Sequence, residues 1–370
     1  MLRRLVGCLF FALAGLAPVA AAHAAPVEAC GEKVTAPDEL AGRLKAICGF
    51  NLHEDFDMTP DGRDIVVGDL GMEATPQGVR RISGPHDMSV IDTATDQVSK
   101  LDRVVDGAPG WGDPACRRPD PNGPYFVIGV TITSRAPGVM QLTVNSHSDG
   151  DRIEFYQLIR KAGGLTAAWR GCVDAPKDGV VDSVTPLPDG GFVASIIYGV
   201  SSGGLEPAIA ASERGENTGW LIKWEPKGGV RRLPNSDARL NNGVAASDDG
   251  GRIYMAATGT RQLKVYSLRD EKFVSSVDLA FAPDNVKKGP DGSVIVSGTS
   301  GGRVCLGKSE AECTNGAWAL AWNPRTDRRD LLFHAGDGLL SGTTAALVIG
   351  DAVYVTSFSD PYILKVAPRR

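Results

Sequence analysis

Histidine is scarce in this chain of 370 residues, with five in all. That leaves little room for a zinc site built on several imidazoles. Lys and Arg total 39 against 44 Asp and Glu, and no basic block occurs. The clustered cations that neutralise nucleic-acid phosphates are therefore missing. No Cys-x-x-Cys pair occurs, which removes the usual redox and zinc-finger spacings. Aromatics make up 6% of the chain. Past residue 24 no apolar run is long enough to span a membrane. Glycine, by contrast, is abundant at 45 residues. That is about 12% of the chain, where ~7% is usual. An apolar share of 42% allows a sizeable core and argues against disorder.

Residues 1–24 read as an export signal. Arg3 and Arg4 precede an apolar stretch over 5–19, and Ala22-His23-Ala24 forms a small-x-small cleavage site. Cleavage would leave 37 basic and 44 acidic residues, a mature charge of −7. The expected location is periplasmic or secreted. Cys8 would leave with the signal, so six cysteines remain: 30, 48, 116, 172, 305 and 313. An even number in an exported protein favours disulfides, with fifteen connectivities open. Closeness in sequence suggests Cys30–Cys48 and Cys305–Cys313, which leaves Cys116–Cys172.

One segment has a helical period. Over 38–47, Leu40, Leu44 and Ile47 fall at i, i+4 and i+7, with Pro37 near the start. Elsewhere the chain reads as short strands rich in Val, Ile, Tyr and Phe, separated by Gly and Pro turns. A unit recurs, marked by Pro60-Asp61-Gly62, Pro188-Asp189-Gly190, Asp248-Asp249-Gly250, Pro290-Asp291-Gly292 and Ile349-Gly350-Asp351. The 128 residues between Asp61 and Asp189 have room for two more. Units of this length with several strands each indicate an all-β, six-bladed β-propeller. The expected layout is a signal over 1–24, a segment with a short helix over 25–50, and one propeller over 51–370. The six tryptophans lie in or beside strands and read as core between blades. Residues 206–218, rich in Gly, Ala, Ser and Glu, read as a loop or lid near the channel mouth.

Polar residues precede several of these turns at a similar offset. Glu54-Asp55, Asp182, Asn242-Gly243 and Asp284-Asn285 each lie six to eight residues upstream of a turn Asp. Four blades would then each offer an oxygen donor at one level of the channel. Carboxylate and amide oxygens without His or Cys suit a hard cation, and calcium over magnesium.

These residues, together with GWGDPAC (110–116), LTVN (142–145), IEFYQL (153–158), WRGCV (169–173), VTPLPDGGFV (184–193), GENTGWLIKW (215–224), the long run 241–266, APDN (282–285) and SGTTAALVIGDAVYV (341–355), carry a resemblance. The chain resembles the calcium-dependent six-bladed propellers of the senescence-marker-protein, gluconolactonase and paraoxonase superfamily, on the side of its exported bacterial arylesterase/lactonase members. The resemblance implies a central calcium held by Glu54, Asp182, Asn242, Asp284 and Asn285. Asp182 stands where the family commonly has Asn. In paraoxonase-like members the residue matching Asp55 holds a second, structural calcium with an Asp that is Ser183 here, so one central ion is expected. The resemblance also implies hydrolysis of a small-molecule lactone or ester by water. The paraoxonase base lies in a His-Gly-Ile motif, where this chain has Ile128-Gly129-Val130. The remaining candidates for the base are His147, after Val144-Asn145-Ser146, and Asp284. Two other readings stand beside this one. One is a non-catalytic calcium-stabilised propeller that binds a periplasmic ligand or partner. The other is a metal-free lyase- or synthase-like relative, against which Glu54, Asn242 and Asp284-Asn285 argue.

Overall fold

In a computed structural model of the chain, the described residues are 25–368 apart from 31, 41, 76–77, 83–87, 106, 124, 148–149, 302–315 and 337. The expected signal segment, residues 1–24, lies outside them, as do Cys305 and Cys313. No helix among the described residues is long and apolar enough to cross a membrane.

Five Gly-containing turns organise the chain. Gly62, Gly190, Gly250, Gly292 and Gly350 have φ between 57 and 84°, the left-handed region that side chains avoid. Each turns the inner strand of a sheet back into the second strand. Six such sheets form a six-bladed β-propeller. The inner strands, in order from blade 1 to blade 6, are His53–Met58, Val127–Ala136, Gly179–Pro186, Asn241–Ala246, Ala282–Lys288 and Thr343–Ile349. The interval between Asp61 and Asp189 holds one additional blade rather than two. Its four main strands are 8 to 11 residues long, and the residues before them run through a loop that carries Trp111 and Cys116.

The blades pack through apolar clusters that combine neighbouring sheets. Ile153 and Phe155 of blade 2 meet Val181, Phe192 and Trp224 of blade 3. The Phe192 and Trp224 rings stack with centroids 5.7 Å apart. Trp169, Trp220, Trp224 and Trp322 are buried, as a core role requires. Nearer the axis, side chains of one inner strand accept N–H groups of the next. Asp55 takes the Val130 N–H and Asp57 the Ile132 N–H, both at 2.7 Å. Ser183 and Thr185 do the same for Val244 and Ala246 at 3.3 and 3.0 Å. These bonds fix the height of each blade against its neighbour.

The expected helix over 38–47 shrinks to a single 3-10 turn, Asp38–Leu40, followed by Gly42 at φ 71°. The remainder, Leu44–Cys48, is a strand antiparallel to Tyr362–Val366. It is the outer strand of blade 6, so the propeller begins at residue 44 rather than 51. Here the chain termini close the ring. The helical spacing fails because Leu44 and Ala46 pack into one inter-blade cluster and Ile47 into another. That is a period of two, imposed by the open edge of Tyr362–Val366. The 206–218 segment, expected as a loop, instead holds the α-helix Leu205–Glu213.

Two of the suggested disulfides form. Cys30–Cys48 ties the N-terminal hairpin to the closing strand, and Cys116–Cys172 ties the long loop to blade 2.

Asp57 gives a pH-dependent test of this packing. Burial pushes its carboxyl up from 3.8 to about 6, against the pull of the Lys287 charge and the Ile132 N–H. The folded chain then holds more protons than the unfolded one between about pH 4 and 6. Stability should fall as pH rises through that window and level off above it. Asp57→Asn keeps an acceptor for Ile132 and removes the titration. It should stabilise the protein by on the order of 2 kcal/mol at pH 8 and by almost nothing at pH 4. Urea unfolding at pH 4, 6 and 8 checks this; an equal change at all three pH values would show that the charge plays no part.

Candidate metal centre at the channel mouth

Every inner strand carries a register shift near its start. The shifts lie between His53 and Phe56, Val127 and Gly129, Val181 and Val184, Asn241 and Val244, Pro283 and Val286, and Thr343 and Ala346. A bulge leaves its residues outside the ladder and re-aims their side chains. The bulged pairs are Glu54-Asp55, Asp182-Ser183, Asn242-Gly243, Asp284-Asn285 and Thr344-Ala345, with Ile128 in blade 2. The offset from bulge to turn Asp is seven residues in blades 1, 3, 4, 5 and 6, the last running from Thr344 to Asp351. All five expected metal ligands therefore occupy one structural level. Ile128 and Thr344 complete the ring.

The charges on this level feel one another across blades 1, 3 and 5. Glu54 is held well above the usual carboxylate range by burial first, and then by Asp284, Asp55 and Asp182. Asp284 is raised by burial and by the charges of Asp182 and Asp55. Burial and Asp55 push Asp182 up to about 8. The hydrogen bonds on this level leave specific oxygens over. Asn285 Nδ2 donates to Glu54 Oε1 at 2.7 Å, and Asn242 donates to Asp284. Glu54 Oε2, Asp55 Oδ1, Asp182 Oδ2 and Asn242 Oδ1 are buried with no donor. Four stranded acceptors and no stranded donor is the pattern that a hard cation satisfies. Among the described residues, no group of three or more His, Cys, Asp or Glu side chains stands at metal-ligand spacing. The carboxylates alone do not make a centre, so the amides of Asn242 and Asn285 would have to contribute.

His147 follows the second strand of blade 2 and is half-buried. Its Nδ1 pairs with Asp151 Oδ1 in a short contact. Asp151 Oδ2 accepts the Val181 N–H at 3.0 Å, one residue from Asp182. The charges of Asp151 and Asp182 both raise the Tyr198 hydroxyl pKa, after burial. His147 is thus the outer member of a His–Asp pair anchored beside Asp182, the expected blade-3 ligand. Sequence reading missed Asp151, whose signal was only an acidic residue four positions on. It also missed Thr344, which donates to the Glu54 carbonyl, and Lys287, which follows Asn285 on the same side of its strand.

The helix Leu205–Glu213 lies at this end, between strands Phe192–Gly199 and Trp220–Glu225. Arg239 Nη1 donates to the Ser212 carbonyl at 3.3 Å and braces the helix against blade 4. A cavity of about 660 Å³ opens at the other end, where Asp57, Arg135, Thr185, Asp248 and Lys287 are among its walls. None of the five expected ligands lines it.

No family model matches this chain, and no curated protein sequence does. Solved structures do. Luciferin-regenerating enzyme is 14% identical over 88% of this chain and 94% of its own, with a TM-score of 0.50. A putative gluconolactonase is 16% identical over 88% and 92%, with a TM-score of 0.49. A calcium-binding protein, regucalcin from Agrobacterium tumefaciens strain C58, is 13% identical over 88% and 93%, also at 0.49. At these identities the likeness is one of fold: the chain is a six-bladed β-propeller similar to luciferin-regenerating enzyme, and its structural neighbours include gluconolactonase- and regucalcin-type proteins.

Proposed function

We propose that the protein is a calcium-dependent hydrolase of lactones or of aryl or carboxylic esters, exported to the periplasm or beyond. The observation that carries this reading is the set of stranded oxygens, Glu54 Oε2, Asp182 Oδ2 and Asn242 Oδ1, on equivalent bulges of three blades. Glu54, Asp182, Asn242, Asp284 and Asn285 would hold the ion. Bound there, calcium would polarise a carbonyl and stabilise negative charge developing on its oxygen. The chain's own groups supply the remainder. A buried carboxylate with a raised pKa, such as Asp284, is suited to take a proton from water near neutral pH. The His147–Asp151 pair offers a second acceptor, with Asp151 engaging Nδ1 so that Nε2 would take the proton. The helix Leu205–Glu213 would narrow access at the mouth. Two disulfides suit an oxidising compartment.

A specific residue favours a second reading. Ile128 occupies the bulge of blade 2, and an alkyl side chain takes no proton. A propeller that binds calcium and a ligand without turnover would fit that residue. The two readings part on one experiment, in which the purified protein is stripped with a chelator, reloaded with calcium and assayed on a panel of lactones and aryl esters. Turnover lost on stripping and restored by calcium is the expected result. Full activity after rigorous chelation would sink the calcium mechanism, and calcium binding with no turnover on any panel member would favour the binding protein.

A further inference from the structure

Immediately inside the bulge level, the channel holds a cation of its own. Lys287 reaches from blade 5 to two oxygens of other blades. Its Nζ donates to Asp55 Oδ2 of blade 1 at 2.8 Å and to the Val130 carbonyl of blade 2 at 2.6 Å. The side chains are 7% and 1% exposed. Asp57, two residues on in the same strand as Asp55, feels the same charge. Asp55 is the residue for which the family resemblance implies a second, structural metal ion. The groups present do not fit one. An ammonium fills the space between the carboxylate and the carbonyl. Ser183, where a second carboxylate would be needed, spends its hydroxyl on the Val244 N–H.

We propose that Lys287 is the resident cation of the inner channel, a covalently attached substitute for a structural metal ion that ties blades 1, 2 and 5 together. A buried ammonium can hold a carboxylate and a carbonyl with directed N–H bonds, as a hard cation does, and it cannot be chelated away. Nothing in this arrangement depends on a hydrolase activity.

Two measurements test it. Bound calcium is counted by mass spectrometry after dialysis of the wild type, Asp55→Asn and the double variant Asp55→Asn/Lys287→Met. Equal counts are expected, because Asp55 holds an ammonium rather than a metal. A count one lower in either variant overturns the proposal. Equal counts of zero would fail the calcium reading above while leaving this one standing. Thermal unfolding in chelator supplies the second readout. Lys287→Met alone strands a buried carboxylate and should lower Tm by about 10 °C. The double variant should recover more than half of that loss, and losses that merely add would overturn the pairing. Should Lys287→Met fail to fold, the calcium counts of the wild type and the double variant still decide.

Discussion

Asp284→Asn is expected to lower kcat/KM for a lactone or aryl ester by roughly a thousandfold, while leaving the calcium-free protein at least as stable as the wild type. The two halves of this expectation have one cause. Asp284 shares the bulge level with Asp182 and Glu54; burial and then the charges of Asp182 and Asp55 raise its carboxyl, and its own charge raises that of Glu54. Asn keeps the shape and one oxygen but removes the charge and the proton acceptor. Repulsion falls, so the fold gains, whereas metal binding and proton transfer both weaken. A merely structural Asp284 would give the reverse, with lost stability and unchanged kcat. His147→Gln separates the two candidate bases. If His147 takes the proton, that variant loses roughly a hundredfold in kcat. If Asp284 is the base, His147→Gln stays within a few-fold of the wild type. Full activity in both variants would refute the hydrolase assignment of these residues.

A chain that starts at residue 51 is expected not to fold, whereas one that starts at residue 38 should. The strand Leu44–Cys48 pairs five residues with Tyr362–Val366. Arg43 adds two bonds to the Ala367 carbonyl at 3.0 and 2.8 Å. Lys45 and Lys365 both reach Asp96 of blade 1 at 2.7 Å, so the closing strand also clamps the first blade to the last. Each backbone bond contributes about 1 kcal/mol and each buried aliphatic side chain about 2 kcal/mol. Losing this strand removes a sum comparable with the 5–15 kcal/mol typical of a whole domain. It also leaves Tyr362–Val366 as an open edge. Circular dichroism and size-exclusion chromatography of the two chains would show the difference. A cooperative thermal transition in the shorter chain would mean that the ring does not need its N-terminal closure.

The propeller was legible because its turn signal is local. An Asp-Gly or Gly-Asp pair at the end of a strand favours a left-handed residue, and five of them with strands on either side count out the sheets. The level of the oxygen donors was legible through the same markers, since a fixed offset from turn to bulge carries the side chains to one height. Blade 2 was less legible. Its turn is Pro137-Gly138, its bulged residue is Ile128, and its long strands filled an interval that had room for two blades.

Other features were decided only in three dimensions. The stretch 38–47 has a helical spacing of its own. It becomes mostly strand because the edge of Tyr362–Val366, far away in sequence, is worth more than one isolated helical turn. Nothing in the local sequence singles out Lys287. Only the closure of the ring brings Asp55 and Val130 to its ammonium and makes it an interior cation. His147 is tied to blade 3 only because its partner Asp151 bonds to the backbone beside Asp182. By itself, then, the sequence determined the turns, the blade pattern and the identity of the oxygen donors, since these follow from backbone sterics and side-chain chemistry within a few residues. The tertiary structure decided which oxygens lack a donor, which carboxylate already holds a cation and which strand closes the ring. Those depend on groups brought together from different blades, and no local pattern encodes that distance.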